Sequence, residues 1–172
     1  MERAPTLLAL TAGLIGMTGT LAAGPLNLNF SADRTRLDVQ RTETGNTNLS
    51  KESWGYKVTV ENKSFQNLEG LELEYRVFLL EDEARLRERK LKGNPGAHTI
   101  AALKNREKQQ FQTIPVEVNK SELKAGWSYT NRAIKEKVKD GLGGIWIRVK
   151  KDGAIVAEYV NPPALKQRAS FD

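Results

Sequence analysis

Residues 144–160 read GIWIRVKKDGAIVAEYV, two apolar-rich runs separated by Lys-Asp-Gly. Apolar and polar residues alternate in the first run, and this period of two is typical of a β-strand with one buried face. Gly153 can adopt the left-handed backbone conformation that a tight hairpin loop requires. The segment therefore predicts an antiparallel β-hairpin.

A three-residue loop, 151–153, gives the register that we expect for this hairpin. A two-residue loop would place Ile147 opposite Glu158, a poor match on a buried face. Pro162 and Pro163 end the second strand, because proline has no N–H to donate to a sheet. The pairs expected with the three-residue loop are Val149–Ile155, Ile147–Ala157 and Ile145–Tyr159.

The same alternation recurs upstream. Residues 53–61 read SWGYKVTVE and residues 71–80 read LELEYRVFLL, and both predict half-buried strands. Pro115 suggests a bulge or an edge position in one of the other candidates. The remaining candidate strands are 26–30, 36–44, 98–103 and 108–118. Short alternating strands of this number predict an all-β fold, an antiparallel Ig-like or fibronectin-III-like β-sandwich.

Two stretches of the chain predict other local structures. Residues 93–96 (GNPG) combine glycine and proline, which is typical of a turn. Between 130 and 140 the pattern is the only one that resembles a helix, because Ile134, Val138 and Leu142 recur every four residues.

The N-terminal residues 1–23 resemble an export signal. Residues 4–29 carry no charge, and small residues allow cleavage after Ala22 or Ala23. The alternative is an uncleaved membrane anchor, since about 20 apolar residues span a bilayer. Cleavage leaves residues 24–172 as one Ig-like domain.

The composition excludes several kinds of chemistry. The chain has no cysteine, one histidine (His98) and a net charge of +6. A disulfide is therefore impossible, and zinc sites and Ser-His-Asp triads lack most of their usual residues. The densest acidic run, 81–83, is neutralised by Arg85, Arg87 and Arg89. We therefore expect no catalytic residue, no cofactor and no metal, and a protein that is not an enzyme.

Four segments carry a resemblance to a known group of proteins: YKVTVENKS (56–64), GLELEYRVF (70–78), KVKDGLGGIWIRVKKDG (137–153) and EYVNPPAL (158–165). They resemble exported single-domain Ig-like proteins of Verrucomicrobia, similar to pilus-associated Ig-like proteins of Akkermansia. The resemblance implies an Ig-like fold and a role in the envelope or at the cell surface. These segments are strand patterns, so no site residue is carried over.

The expected register also predicts a candidate interaction surface. It directs alternate residues of the hairpin and of the 71–80 strand away from the core, where they form an apolar patch flanked by bases. The alternative is that residues 26–45 or 121–142 cover this face. The candidate surface residues are Trp146, Arg148, Lys150, Val156, Phe78, Leu80 and Arg76.

These features predict a non-enzymatic exported protein that acts through protein–protein contact, as an adhesion, pilus-associated or assembly component. The alternative is a carbohydrate-binding module for anionic glycans, which the basic charge favours. We expect an envelope or surface protein as partner, no nucleic acid, and membrane contact only if residues 1–23 stay uncleaved. The expected location is the periplasm, the outer membrane or the cell surface.

Overall fold

The computed structural model describes residues 26–86 and 88–172. The predicted signal segment, residues 1–23, lies outside the described residues. The described chain forms nine strands and one short 3-10 helix (Pro163–Gln167), with no α-helix among these residues. The strands are β1 (Leu28–Thr44), β2 (Thr47–Asn62), β3 (Leu68–Glu81), β4 (Lys90–Leu103), β5 (Lys108–Gln112), β6 (Val116–Leu123), β7 (Lys137–Lys139), β8 (Gly141–Lys151) and β9 (Ala154–Asn161).

The strands form two antiparallel sheets that pack face to face. The four-stranded sheet has the order β4-β3-β8-β9. In the five-stranded sheet β1, β2, β6 and β7 are neighbours in that order, and β5 pairs with the second half of β2. As the sequence predicts, β3, β8 and β9 lie side by side in one sheet. The predicted all-β, Ig-like sandwich is confirmed.

The core lies between the two sheets, where alternation along each strand places every second side chain. On β2, Tyr56, Val58 and Val60 are fully buried, while Lys57 between them is exposed. Since the chain has no cysteine, burial of apolar surface holds the sheets together. β3 and β8 contribute the facing residues Leu71, Leu73, Tyr75, Val77, Ile145, Ile147 and Val149.

The five-stranded sheet extends beyond the sheet against which it packs. β2 has 16 residues, but only its second half, from Trp54 onward, contacts the main core. Within the described chain, no residue from 37 to 53 belongs to that core. The first half of β2 pairs with β1 and β6, and β6 pairs with β7. We call this extension, residues 37–53 and 117–139, the overhang.

Asp140 lies where the chain leaves the overhang and enters the four-stranded sheet. Its side chain is buried, and one carboxylate oxygen accepts from the N–H of Asp82 at 2.8 Å. The other oxygen accepts from the N–H of Asn119 at 3.1 Å, and the Asp140 N–H donates to the Asn119 carbonyl at 3.0 Å. Carboxylate–amide bonds are stronger than neutral ones. Asp140 thus ties the end of β3 to β6 where the sheets part.

The β8–β9 hairpin differs from its predicted register. Its loop has two residues, Asp152 and Gly153, and both have positive φ (52° and 79°), as in the turn that suits tight hairpins. A bulge then absorbs Val156, so that Ile147 faces Tyr159 instead of Glu158. The bulge keeps the apolar alternation with a two-residue loop, and the predicted three-residue loop was therefore wrong.

Two further local predictions were wrong. Residues 93–96 belong to strand β4 rather than to a turn, because Gly96 lies against the ring of Tyr75, where a Cβ would approach within 2.4 Å. Pro95 is tolerated since β4 is an edge strand. Residues 130–140 form no helix, and Lys137–Lys139 pair with β6 as a strand. Pairing with a neighbouring strand overrides a weak helical pattern.

The left-handed turn gives a direct test of the hairpin. We expect Gly153→Val to lower the free energy of unfolding by about 1–2 kcal/mol, because a residue with a Cβ is strained at φ 79°. Gly141→Ala is the matched control, since its Cβ would meet no atom and its backbone is not left-handed. Urea denaturation measures both. Equal stability of the Gly153→Val variant and the wild type would contradict the turn.

Candidate functional site

The residues predicted to form an interaction surface lie mostly on the outer face of the four-stranded sheet. Arg76 of β3 is opposite Trp146 of β8, and Phe78 is opposite Gly144. Alternation directs these side chains away from the core, on the side opposite Ile145 and its core neighbours. The other predicted residues brought to this face are Arg148, Lys150 and Leu80.

The C-terminal segment, residues 162–172, covers the apolar centre of this face. Leu165 in the 3-10 helix and Phe171 are buried. They pack with Phe78 and Trp146 into a second apolar cluster, separate from the main core. The partly buried residues around this cluster are Leu91, Val160 and Ala169.

The predicted exposure of the apolar patch was wrong. Trp146 is 7% exposed and Phe78 is 3% exposed. Val156, predicted to face outward, lies in the main core because the β9 bulge turns it inward. The cover comes from the C-terminal segment rather than from 26–45 or 121–142, the two stretches considered as covers.

The remaining residues of the predicted surface lie at the margin of the covered cluster. They are partly exposed, and their role in binding a partner stays a prediction. These residues are Arg76, Leu80, Arg148 and Lys150.

Cations and aromatic rings hold the C-terminal segment in place. The Trp146 and Phe171 rings meet edge to face, with centroids 5.8 Å apart. The Arg148 guanidinium lies 4.2 Å from the Phe171 ring centroid, and that of Arg76 lies 5.7 Å from it. Lys166 lies 5.5 Å from the Trp146 centroid. Cation–π contacts of this kind add to the burial of the rings.

Glu158 on β9 joins the sheet to the C-terminal segment. Its carboxylate accepts from Trp146 Nε1 at 2.8 Å, from Arg148 Nε at 3.3 Å, and from Lys166 Nζ. Burial raises the pKa of Glu158, but the bonds from Lys166, Trp146 and Arg148 together outweigh it and hold the pKa below its usual value. The carboxylate is therefore charged at neutral pH. It bonds to the sheet through Trp146 and Arg148 and to the C-terminal segment through Lys166.

The overhang carries most of the large hydrophobic side chains that remain exposed. Leu37 is 45% exposed, Leu49 37%, Trp127 56% and Tyr129 39%. These are four of the seven large exposed hydrophobic residues in the described chain. Trp127 and Tyr129 lie in the β6–β7 loop, which is bonded to the β1–β2 turn through Lys124 N–H and the Asn46 carbonyl at 2.8 Å. None of the seven residues predicted from the sequence to form an interaction surface lies on the overhang.

The overhang also carries unpaired bases, at a cavity between its strands. β1, β2, β6 and β7 line a shallow cavity of about 520 Å³. Within the described residues, Arg41 and Lys139 at this cavity form no salt bridge, whereas Lys137 pairs with Glu122 at 2.8 Å. Nothing in the described part of the chain covers this cavity, which leaves it open to a partner.

Glu52 lies at the root of the overhang and is buried. It accepts from Lys120 and, at 2.7 Å, from Trp54 Nε1. The Lys120 bond lowers the pKa of Glu52, and burial offsets this only in part. Glu52 is therefore negatively charged at neutral pH, and its charge balances that of Lys120. The pair contributes no net charge to the overhang.

The described residues place few potential catalytic or metal-binding side chains close together. His98 stacks on Phe111 with ring centroids 4.3 Å apart, on the inner side of β4. No three His, Asp or Glu side chains stand close enough to hold a metal ion within residues 26–86 and 88–172. No helix in that part of the chain is long and apolar enough to cross a membrane.

Comparison with known proteins gives a likeness in fold only. No protein-family model matches the chain, and no curated protein matches it. A crystal structure of a protein from Akkermansia muciniphila is similar over 85% of this chain and 78% of the other, with 12% identity and a TM-score of 0.32. Membership of the Verrucomicrobial group stays a prediction.

The sequence does contain a signal for the C-terminal cover. Leu165 and Phe171 follow Pro162 and Pro163, at a spacing that places two apolar anchors after the last strand. By themselves, the two prolines indicate only the end of β9. Apolar residues beyond a strand end need a surface to cover, and the outer face of β3 and β8 is the apolar surface nearest to them.

Because Trp146 is buried, its removal should destabilise the protein. We expect Trp146→Ala to lower the free energy of unfolding by about 3 kcal/mol, because it leaves a cavity under the C-terminal segment. Phe171→Ala should behave alike, and the double variant should cost less than the sum, because the two rings pack together. Trp127→Ala is the exposed control, with a change within about 0.5 kcal/mol. A stability of Trp146→Ala equal to that of the control would contradict the cover.

The Glu158 bonds predict a pH-dependent contribution to stability. A carboxylate with a lowered folded pKa stabilises the protein above its unfolded pKa, near 4.5, and this contribution is lost as pH falls through the folded pKa. We expect Glu158→Gln to melt below the wild type at pH 7, with a difference that shrinks as pH falls below about 4. Thermal melts across this range, with Glu122→Gln as an exposed paired control, measure it. A constant difference across the range would count against the bonds.

Proposed function

We propose that this protein is an exported, non-enzymatic binding protein of the envelope or cell surface that acts by contact with a partner protein. Its role would be that of an adhesion, pilus-associated or assembly component. The overhang is the surface that we assign to this contact. The observation that carries the proposal is the concentration of exposed large hydrophobic side chains on the overhang.

The residue types on the overhang support a protein partner. Tryptophan and tyrosine are the side chains most often found at the centre of protein interfaces. Trp127 and Tyr129 occur together in one loop, and Leu49 adds a further exposed apolar side chain on β2. The remaining polar side chains of the overhang would form the rim that such interfaces have.

The construction of the overhang also supports this role. Its strands are hydrogen bonded to one another along their length, and Asp140 ties their root to the sandwich. Leu49 lies on paired strands, which are better ordered than loops, so less entropy is lost at that position when a partner binds. The uncharged residues 4–29 and the absence of cysteine support export from a bacterial cell.

An anionic glycan is the second candidate partner. Trp127 and Tyr129 share their loop with the exposed Arg132, and Arg41 and Lys139 lie at the open cavity. Aromatic rings beside cations are suited to acidic sugars as well as to proteins. The experiment below separates the two candidates.

Site-specific photo-cross-linking tests the proposed function. A photoreactive phenylalanine analogue replaces Leu49 on the overhang, and in a matched control it replaces Ile114, which is 57% exposed outside the overhang. We expect a discrete protein adduct from position 49 and none from position 114 in native envelope material. Trp127→Ala should reduce the adduct by about tenfold, since a hot-spot residue contributes roughly 1.4 kcal/mol or more.

Two outcomes would contradict the proposal. One is equal adduct formation from positions 49 and 114, which would indicate nonspecific contact. The other is no protein adduct together with retention on an acidic polysaccharide that Trp127→Ala abolishes. That result would assign the overhang to glycan binding.

A further inference from the structure

Phe65 is the most exposed large hydrophobic side chain in the described chain. It lies in the β2–β3 loop, residues 63–67, and 84% of it is exposed. A phenylalanine ring at this level of exposure leaves apolar surface in contact with water. Transfer of that surface into an apolar environment is favourable. The surrounding loop shows how the ring is held there.

Asn62 holds the Phe65 loop in one conformation. The Asn62 side chain is fully buried, and its Nδ2 donates to the carbonyls of Gln66 at 2.7 Å, Leu103 at 3.1 Å and Lys104 at 3.1 Å. Its Oδ1 accepts from the Ser64 N–H at 2.9 Å and from the Ser64 hydroxyl at 2.6 Å. With all its hydrogen-bonding groups used, Asn62 fixes the loop, and Phe65 therefore stays exposed in an ordered loop.

Three connections meet at this end of the sandwich. The Asn62 bonds join the Phe65 loop to the β4–β5 turn, residues 104–107. The β8–β9 turn lies at the same end, because Lys150 pairs with Glu72 near the start of β3. The described chain also begins here, since Leu26 N–H donates to the Val156 carbonyl at 3.0 Å.

Basic residues occur in the same loop as Phe65 and in the turn bonded to it. Lys63 lies in the loop, Lys104 and Arg106 lie in the β4–β5 turn, and Lys108 begins β5; all four are exposed. The acids between them are engaged locally. Glu61 pairs with Lys63 at 2.8 Å and with Lys108 at 3.9 Å, and Glu107 accepts from the Lys104 N–H at 2.6 Å. Within the described residues, Lys104 and Arg106 form no salt bridge, so the turn next to the Phe65 loop carries two unpaired cations.

We propose that this end of the sandwich, with Phe65 at its tip, docks on an anionic membrane surface. Phe65 would enter the boundary between headgroups and acyl chains, and the bases around it would contact anionic headgroups. Lysine is depleted from protein interfaces but is favoured near anionic lipid, where its long stem lets the charge reach the headgroups. A lone phenylalanine among lysines therefore fits a lipid surface better than a protein. Docking in this way would direct the overhang away from the membrane.

Vesicle sedimentation tests the proposal. The full chain is mixed with vesicles of phosphatidylcholine containing about one third phosphatidylglycerol, and with vesicles of phosphatidylcholine alone. We expect Phe65→Ala to weaken partitioning into the anionic vesicles by about tenfold, the loss expected for one buried phenylalanine. Phe65→Trp should restore it, since tryptophan favours the membrane interface. Lys104→Gln with Arg106→Gln should reduce partitioning by a similar factor and lessen its dependence on salt.

The matched control is Ile114→Ala, which removes a comparably exposed apolar side chain far from this end. All variants carry the same residues 1–25, so any contribution of that segment is common to them. Partitioning that Phe65→Ala and Ile114→Ala affect equally would overturn the proposal, and so would equal binding to neutral and anionic vesicles. Unchanged vesicle binding with loss of a protein cross-link in Phe65→Ala would also overturn it, and would assign the loop to a protein partner.

Discussion

The place where the two sheets part determines the surfaces of this protein, and the buried Asp140 carboxylate fixes that place. It accepts from backbone N–H groups of both sheets, at the end of β3 and in β6. On one side of it, the strands pack into a core that needs no disulfide. On the other side, β2 continues past a β1 bulge at Leu37, pairs with β1 and β6, and has no sheet opposite. The overhang follows from this mismatch in length.

The same sandwich also has an apolar outer face, and the chain covers it with its own C-terminal segment. Leu165 and Phe171 close over Phe78 and Trp146, and Glu158 bonds to both the sheet and the segment. The covered face and the open overhang are therefore different kinds of surface. Because the C-terminal segment covers the outer face, the exposed apolar side chains lie mainly on the overhang and at the end of the sandwich that carries Phe65.

Much of the fold follows from alternation along the chain, which places the strands and the inward set of β2, β3 and β8. The local errors have specific physical causes. The bulge at Val156 allows a two-residue loop to coexist with pairing of apolar residues. A bulge of one residue cannot be predicted from the alternation of apolar and polar residues. The surface prediction failed for a different reason. Alternation predicts which side chains point away from the core, but not which segment covers them. The burial of Trp146 depends on contacts with residues that follow Pro162 and Pro163. The exposure of Trp127 and Phe65 depends likewise on tertiary neighbours.

Fluorescence quenching of single-tryptophan variants can show whether the C-terminal segment covers one face and leaves the overhang open. The chain has three tryptophans, at 54, 127 and 146, and replacing two at a time with phenylalanine isolates each. We expect acrylamide to quench Trp127 strongly and Trp146 weakly, with Trp54 between them. If Trp146 were quenched as readily as Trp127, the outer face of the four-stranded sheet would be open and the C-terminal segment would not cover it.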